Sequence, residues 1–168
     1  MASLLPDEIE QLARRVVEEN EAAGRKLAVA ESCTGGLVAA ALTEIAGSSA
    51  VLDRGFVTYS NEAKMESLGV AQDIIETFGA VSIACVWAMA KGALDRSQAD
   101  VAIAISGVAG PGGGTAQKPV GTVVFARATR DDSKEPEGEL RHFDGKDRAE
   151  IRKQATICAL ELLLPAAE

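Results

Sequence analysis

The chain has 168 residues, of which 47% are hydrophobic and 25% are charged, and its formal net charge is −8. This composition is typical of a soluble globular domain that is large enough for a substantial core. The acidic balance argues against a nucleic-acid-binding surface. No apolar run is long enough to cross a bilayer, and the early acidic residues argue against a secretory signal. We therefore expect a cytoplasmic protein without a nucleic-acid or membrane partner.

The apolar periodicity and the turn residues predict elements in the order α-β-α-β-α-α-α-β-β-β-α. Helices are predicted over 6–23, 36–45, 62–68, 73–78, 82–97 and 147–164, and strands over 27–30, 55–60, 100–106, 120–126 and 138–143. Helices alternating with strands indicate an α/β fold. We predict one domain over 1–168, an α/β/α sandwich with a mixed, largely central sheet.

The first candidate site lies between the strand at 27–30 and the following helix. Three small polar residues and two glycines occupy this turn, namely Ser32, Cys33, Thr34, Gly35 and Gly36. The first N–H groups of a helix are unpaired and favour an anion or a developing negative charge. Glycine lets the backbone come close to a ligand. The alternative is an ordinary helix cap with a tight turn.

The second candidate site follows the most apolar strand, at 100–106. Ser106, Gly107 and Gly110 open a glycine-rich loop there. Ligands of open α/β sheets gather at the carboxyl ends of strands. The loop is therefore a candidate to hold a phosphate or a ribose, and the alternative is a flexible surface connection.

A lysine is the candidate base for a hydroxyl nucleophile. The single histidine, His142, lies far in sequence from both glycine loops. Lys64 lies at the start of a predicted helix, whose dipole would lower the pKa of the amine. Tyr59 precedes it by five residues at the end of a predicted strand. The alternative is a solvated surface lysine and an interface aromatic residue.

Two further side-chain types were considered as ligand-binding groups. Arg148, at the start of the last helix, could clamp an anionic group, or it could pair with neighbouring acids. The cysteines are three in number and widely spaced, at Cys33, Cys85 and Cys158. With one histidine and no Cys-x-x-Cys, this pattern predicts free thiols and no metal site.

Together, these stretches resemble the CinA C-terminal domain family, which includes nicotinamide mononucleotide amidases. The resemblance rests on AESCTGG at 30–36, AGSSA at 46–50, GFVTYSNEAK at 55–64, SGVAGP at 106–111, KPVGTV at 118–123 and RKQA at 152–155. It implies hydrolysis of the carboxamide of nicotinamide mononucleotide to nicotinate mononucleotide and ammonia, without a cofactor. It also implies a homodimer. Larger members of the family carry an additional N-terminal domain.

On this resemblance we expect Ser49 to attack the amide carbon. Lys64 would accept the serine proton, Tyr59 would take part in the relay, and Ser32 would stabilise the oxyanion or serve as the alternative nucleophile. The expected substrate-binding residues come from the two glycine turns and the last helix: Thr34, Gly35, Gly36, Ser106, Gly107, Gly110 and Arg148.

Two other functions stay open from the sequence. One is a non-catalytic nucleotide-binding or interaction module linked to competence or DNA damage. The other is an amidase that acts on a related small amide. The chain also departs from the family at Ile83 and Ala84, where an acidic residue is common after 79–82. This departure bears on activity or on a subunit contact.

Overall fold

The computed structural model describes residues 2–131 and 133–166. Its helices are α1 (Asp7–Ala22), α2 (Leu37–Thr43), α3 (Asn61–Leu68), α4 (Gln72–Phe78), α5 (Ile83–Asp95) and α6 (Arg148–Leu163). Its strands are β1 (Leu27–Glu31), β2 (Leu52–Val57), β3 (Val101–Gly107), β4 (Thr122–Thr129) and β5 (Glu137–His142). A 3₁₀ turn at Ser48–Ala50 precedes β2.

The five strands form one sheet in the order β2-β1-β3-β4-β5. The β2, β1 and β3 strands are parallel to one another, whereas β4 pairs antiparallel with β3 and with β5. The predicted α/β fold with a mixed sheet is therefore confirmed. No helix within 2–131 and 133–166 has both the length and the apolar character needed to span a bilayer.

Side chains of different size cover the two faces of the sheet. Successive strand residues point to opposite faces. In β3, Val101, Ile103 and Ile105 pack with α1, α2 and α6, whereas Ala102 and Ala104 face the cluster around α5. The small side chains on the second face let α5 lie close to the sheet. Both faces are thus covered, as expected for buried central strands.

The second strand begins and ends three residues earlier than predicted. It spans Leu52–Val57, whereas 55–60 was expected. The start of the strand was not predicted because Asp53 and Arg54 are adjacent charged residues, which break the apolar pattern expected of a strand. Its end is set by Lys64, whose amine contacts the carbonyl oxygens of Thr58 and Tyr59. These carbonyls turn toward the lysine instead of continuing the ladder.

The carboxyl ends of the three parallel strands meet at one edge of the sheet. Ser32 follows β1, Thr58 follows β2, and Ser106 lies near the end of β3. The start of α6 reaches the same edge, since Arg152 donates to the Cys33 carbonyl. Four segments that are distant in sequence therefore come together where ligands of α/β sheets usually bind.

Candidate active site

A buried lysine lies against a serine at the centre of this edge. Lys64 is 1% exposed, and its Nζ is 3.1 Å from Ser32 Oγ. The same Nζ lies 2.9 Å from the Thr58 carbonyl oxygen and 3.3 Å from that of Tyr59. Ser60 starts α3 by accepting from the Ala63 N–H. Side chains of a helix lean toward its N-terminus, which directs Lys64 back onto these carbonyls.

Burial lowers the pKa of Lys64. The largest cause is desolvation of the charged amine. Nζ lies within 3.5 Å of three backbone carbonyl oxygens, those of Thr58, Tyr59 and Ser60, and 3.1 Å from Ser32 Oγ. In its neutral form this amine has a lone pair that can accept a proton from the Ser32 hydroxyl. Ser32 and Lys64 thus have the geometry of a nucleophile and its general base.

The turn that carries Ser32 is anchored by a carboxylate that the sequence reasoning missed. Glu31 is fully buried, and it accepts from the Thr34 hydroxyl at 2.6 Å. It also accepts from the N–H groups of Val38 and Ala39 at 2.9 and 3.1 Å. The chain's own acid therefore occupies the N-terminus of α2. The expected anion site at this helix end is corrected accordingly. An acid that ends an apolar strand just before a helix was the available signal.

Thr34, Gly35 and Gly36 shape the turn and do not line the pocket. The Thr34 side chain is buried and bonded to Glu31. Gly35 and Gly36 have φ values of +59° and +99°, in the left-handed region that favours glycine. Within the described residues they are absent from the pocket lining, and their contact with substrate stays a prediction.

The pocket beside Lys64 has a volume of about 230 Å³. Its lining joins the first turn, the segment after β2, the end of β3 and the start of α6: Ser32, Cys33, Tyr59, Asn61, Lys64, Ala80, Val81, Ser106, Gly107, Ala109 and Arg148. These described residues include the guanidinium of Arg148 and no acidic side chain. In a chain of net charge −8, this pocket is suited to an anionic ligand.

Arg148 crosses the mouth of the pocket. Its Nη1 donates to the Gly110 carbonyl at 2.7 Å, and its Nη2 donates to the Tyr59 hydroxyl at 3.0 Å. Ser106 and Gly107 lie in the wall, whereas Gly110 takes part only through that carbonyl. The second glycine loop is therefore held at the site by an arginine.

Tyr59 is placed differently from the expected proton relay. Its side chain is at the rim, 63% exposed, and its hydroxyl accepts from Arg148. Only its backbone carbonyl contacts Lys64. The phenol is therefore at the pocket mouth and not between the serine and the lysine.

Ser49 lies at the opposite edge of the sheet. It is exposed in the 3₁₀ turn before β2, and Leu27 at the start of β1 pairs with Leu52. Ser32 follows the other end of β1, five residues after Leu27, so the two serines are separated by about 15 Å. The structure therefore does not bring Ser49 to Lys64, and the serine that contacts the lysine is Ser32.

The cysteines of this region are poor nucleophiles. Burial raises the pKa of Cys33 to about 11, and it raises the pKa of Cys85 as well. Burial also raises the pKa of Cys158 to about 12, away from the pocket. Within the described residues, no group of three or more His, Cys, Asp or Glu could hold a metal ion.

Two further features near this edge lie outside the pocket. Ile83 begins α5 and packs, partly buried, against the cluster on the second face. A groove of about 790 Å³ between the starts of α1 and α6 contains neither Ser32 nor Lys64. The contact between Ser32 and Lys64 therefore places the candidate active site in the smaller pocket.

A family model described as the CinA C-terminal domain matches residues 9–167. A nicotinamide-nucleotide amidohydrolase, PncC, from Escherichia coli K12 is 51% identical over 158 residues, which is 93% of each chain. A CinA-like protein from Akkermansia muciniphila is 51% identical over 141 residues, which cover 84% of this chain and 33% of that protein.

Solved structures give the same picture. The competence/damage inducible protein CihA from Agrobacterium tumefaciens has a TM-score of 0.91 and 51% identity, over 96% of this chain and 97% of that one. A CinA superfamily protein from Klebsiella pneumoniae 700603 has a TM-score of 0.87 and 42% identity, over 92% and 94% of the two chains.

Proposed function

The chain belongs to the CinA C-terminal domain family, and on this premise we propose that it is a nicotinamide-nucleotide amidase. It hydrolyses the carboxamide of nicotinamide mononucleotide, giving nicotinate mononucleotide and ammonia. The single observation that carries the chemistry is the buried Lys64 amine, 3.1 Å from the Ser32 hydroxyl. A non-catalytic binding module has no need of a desolvated base on a serine, which favours the enzyme.

In the first half of the proposed reaction, Ser32 Oγ attacks the carboxamide carbon while Lys64 Nζ accepts the hydroxyl proton. The tetrahedral intermediate carries a negative oxygen. The N–H of the residue after a nucleophile is a usual donor to that oxygen, and Cys33 follows Ser32 in the pocket lining. Collapse breaks the C–N bond, and Lys64 returns the proton to the leaving amine as ammonia.

In the second half, water releases the acyl group. Lys64 takes a proton from the attacking water, the ester bond to Ser32 breaks, and the serine recovers its proton from the lysine. The product is the carboxylate. These steps need no cofactor. Arg148 is proposed to bind the substrate phosphate, since it lies at the pocket mouth with no acid among the described lining residues. Ser106 and Gly107 are proposed to hold the ribose or the ring.

The remaining sequence expectations stay proposals. We expect a cytoplasmic homodimer with a small nucleotide as its partner and no nucleic acid bound. The net charge of −8 supports the last of these expectations.

The experiment is ammonia release from nicotinamide mononucleotide by the purified protein, with the acid product identified by mass spectrometry. Nicotinamide riboside and nicotinamide are compared as substrates, each with and without a chelator. We expect chelator-independent release that is fastest with the mononucleotide. Lys64→Met keeps the length of the side chain without the amine, and we expect it to fold and be inactive. Release that is absent in the wild type, or retained in Lys64→Met, would contradict the proposal.

A further inference from the structure

We propose that Arg152 is a positioning residue that holds the nucleophile turn from behind. This inference rests on the proposed function of Ser32 and Lys64. Arg152 Nε donates to the Cys33 carbonyl at 3.0 Å, and its Nη2 donates to the Thr34 carbonyl at 3.3 Å. The arginine is part of α6, more than a hundred residues later in the chain. It does not line the pocket, so it acts on substrate only through the turn.

The backbone of the turn is shaped to receive this guanidinium. A Cβ added at Gly35 would lie 3.2 Å from Arg152 Nη2, and Gly35 has φ +59°. Glycine therefore leaves the space that the planar fork uses to reach two successive carbonyls. An arginine fork makes such paired contacts, whereas a lysine offers a single point charge.

Three successive carbonyls of the turn have donors. Ser32 O accepts from the Gly35 N–H at 3.0 Å, and Cys33 O accepts from Arg152. Thr34 O accepts both from the Leu37 N–H at 3.1 Å and from Arg152 at 3.3 Å. Carbonyl oxygens are the negative ends of peptide dipoles, and one left facing the pocket would oppose an oxyanion. Arg152 supplies the donor for the Cys33 carbonyl and a second donor for the Thr34 carbonyl. It thereby keeps Ser32 in reach of Lys64 and removes a repulsion from the transition state.

One helix thus serves both halves of the site. Arg148 and Arg152 are one turn apart on α6, with Arg148 at the pocket and Arg152 behind the nucleophile. Loss of Arg148 should weaken substrate binding. Loss of Arg152 should instead slow the chemical step, because misplacement of a reacting group by about 1 Å costs on the order of 100-fold in rate.

The test compares Arg152→Lys and Arg152→Ala with Lys153→Ala as the matched control. Lys153 is the next residue on α6, and its amine pairs with Glu8 at 3.2 Å. We expect kcat to fall about 10-fold for Arg152→Lys and about 100-fold for Arg152→Ala, with KM within about twofold. Millimolar guanidinium should partly restore Arg152→Ala. Lys153→Ala should match the wild type.

Hydrogen exchange of the peptide covering 31–37 provides a readout that does not depend on activity. We expect faster exchange in both Arg152 variants and not in Lys153→Ala, at equal thermal stability of the rest of the chain. Unchanged exchange and kcat in Arg152→Ala would overturn the positioning role. A higher KM at normal kcat would assign Arg152 to substrate binding instead and also overturn it. An inactive wild type with altered exchange would reject the proposed function while leaving the anchoring of the turn in place.

Discussion

Two serines compete for the role of nucleophile, and they occupy opposite edges of the sheet. Ser32 contacts Lys64, whereas Ser49 is exposed beside the start of β2. We expect Ser32→Ala to lower kcat by about 10³-fold or more, and Ser49→Ala to stay within about twofold of the wild type. Circular dichroism checks that both variants fold. Loss of activity in Ser49→Ala alone would restore the assignment made from the sequence.

The pH dependence follows from the sign of the Lys64 shift. The base must be neutral to accept a proton, and burial lowers the pKa of Lys64. We therefore expect kcat/KM to rise with pH and to reach a plateau, with its midpoint below the ordinary pKa of lysine. His142 is the only histidine and is exposed. His142→Ala should leave the profile unchanged. Loss of the rise of kcat/KM with pH in that variant would contradict the assignment of this rise to Lys64.

Arg148 gives a prediction about binding. Its guanidinium is at the pocket mouth, bonded to Gly110 and Tyr59. We expect Arg148→Ala to raise KM for the mononucleotide by about 10-fold or more with a much smaller change in kcat. Its effect on nicotinamide riboside, which lacks the phosphate, should be small. An equal effect on both substrates would remove Arg148 from the phosphate site.

At the scale of elements, α3 and α5 approach each other closely at Gly92. A Cβ added at Gly92 in α5 would lie 2.0 Å from the Leu68 carbonyl oxygen at the end of α3. Gly92→Ala should therefore lower the free energy of unfolding by about 3 kcal/mol, as measured by urea denaturation. Because α3 carries Lys64, activity should fall as well. Gly112→Ala is the control, since nothing lies within 4 Å of its added Cβ. Equal stability of the two variants would contradict this packing argument.

Most elements could be predicted from the sequence because their cores are apolar runs bounded by turn residues. The β3 strand, VAIAISG, is buried over all but its last residue and was placed with an error of one residue at each end. The β2 strand was misplaced because its exposure pattern has no regular alternation and because the charged residues Asp53 and Arg54 follow its first residue. Local patterns locate buried strands well and exposed edge strands poorly.

The candidate site was only partly predictable for a different reason. Lys64 and the first turn were predicted from local motifs, but Ser49 was preferred as the partner of Lys64, with Ser32 as the alternative. Ser32 and Ser49 both lie in small-residue turns, and only the parallel pairing of β1 with β2 separates them. Arg152 reaches Cys33 across 119 residues, and no local spacing reports such a contact. Sequence motifs name the groups, whereas the topology decides which of them meet.

At the scale of the whole molecule, three large apolar side chains are exposed in segments next to the residues that line the pocket. Val57, Tyr59 and Phe78 are 55%, 63% and 54% exposed. We infer that they belong to an interaction surface, because exposed apolar patches commonly mark such surfaces. We expect sedimentation to give twice the chain mass, and Phe78→Asp to favour the monomer. Leu140→Asp, on β5 at the other end of the sheet, should leave the dimer intact. The reverse result would move the interface to β5.

The packing of α1 against α6 determines where a tag or a fusion partner can be attached to the protein. The two helices run in the same direction, because Lys153 pairs with Glu8 at their starts and Asn20 donates to the Leu163 carbonyl at their ends. Residues near 5 therefore lie beside the sheet edge that carries the pocket, and residues near 164 lie at the opposite edge. An affinity tag or a surface tether fused after α6 would leave the substrate entrance open. A bulky fusion partner placed before α1 would lie next to that entrance and would obstruct the access of substrate.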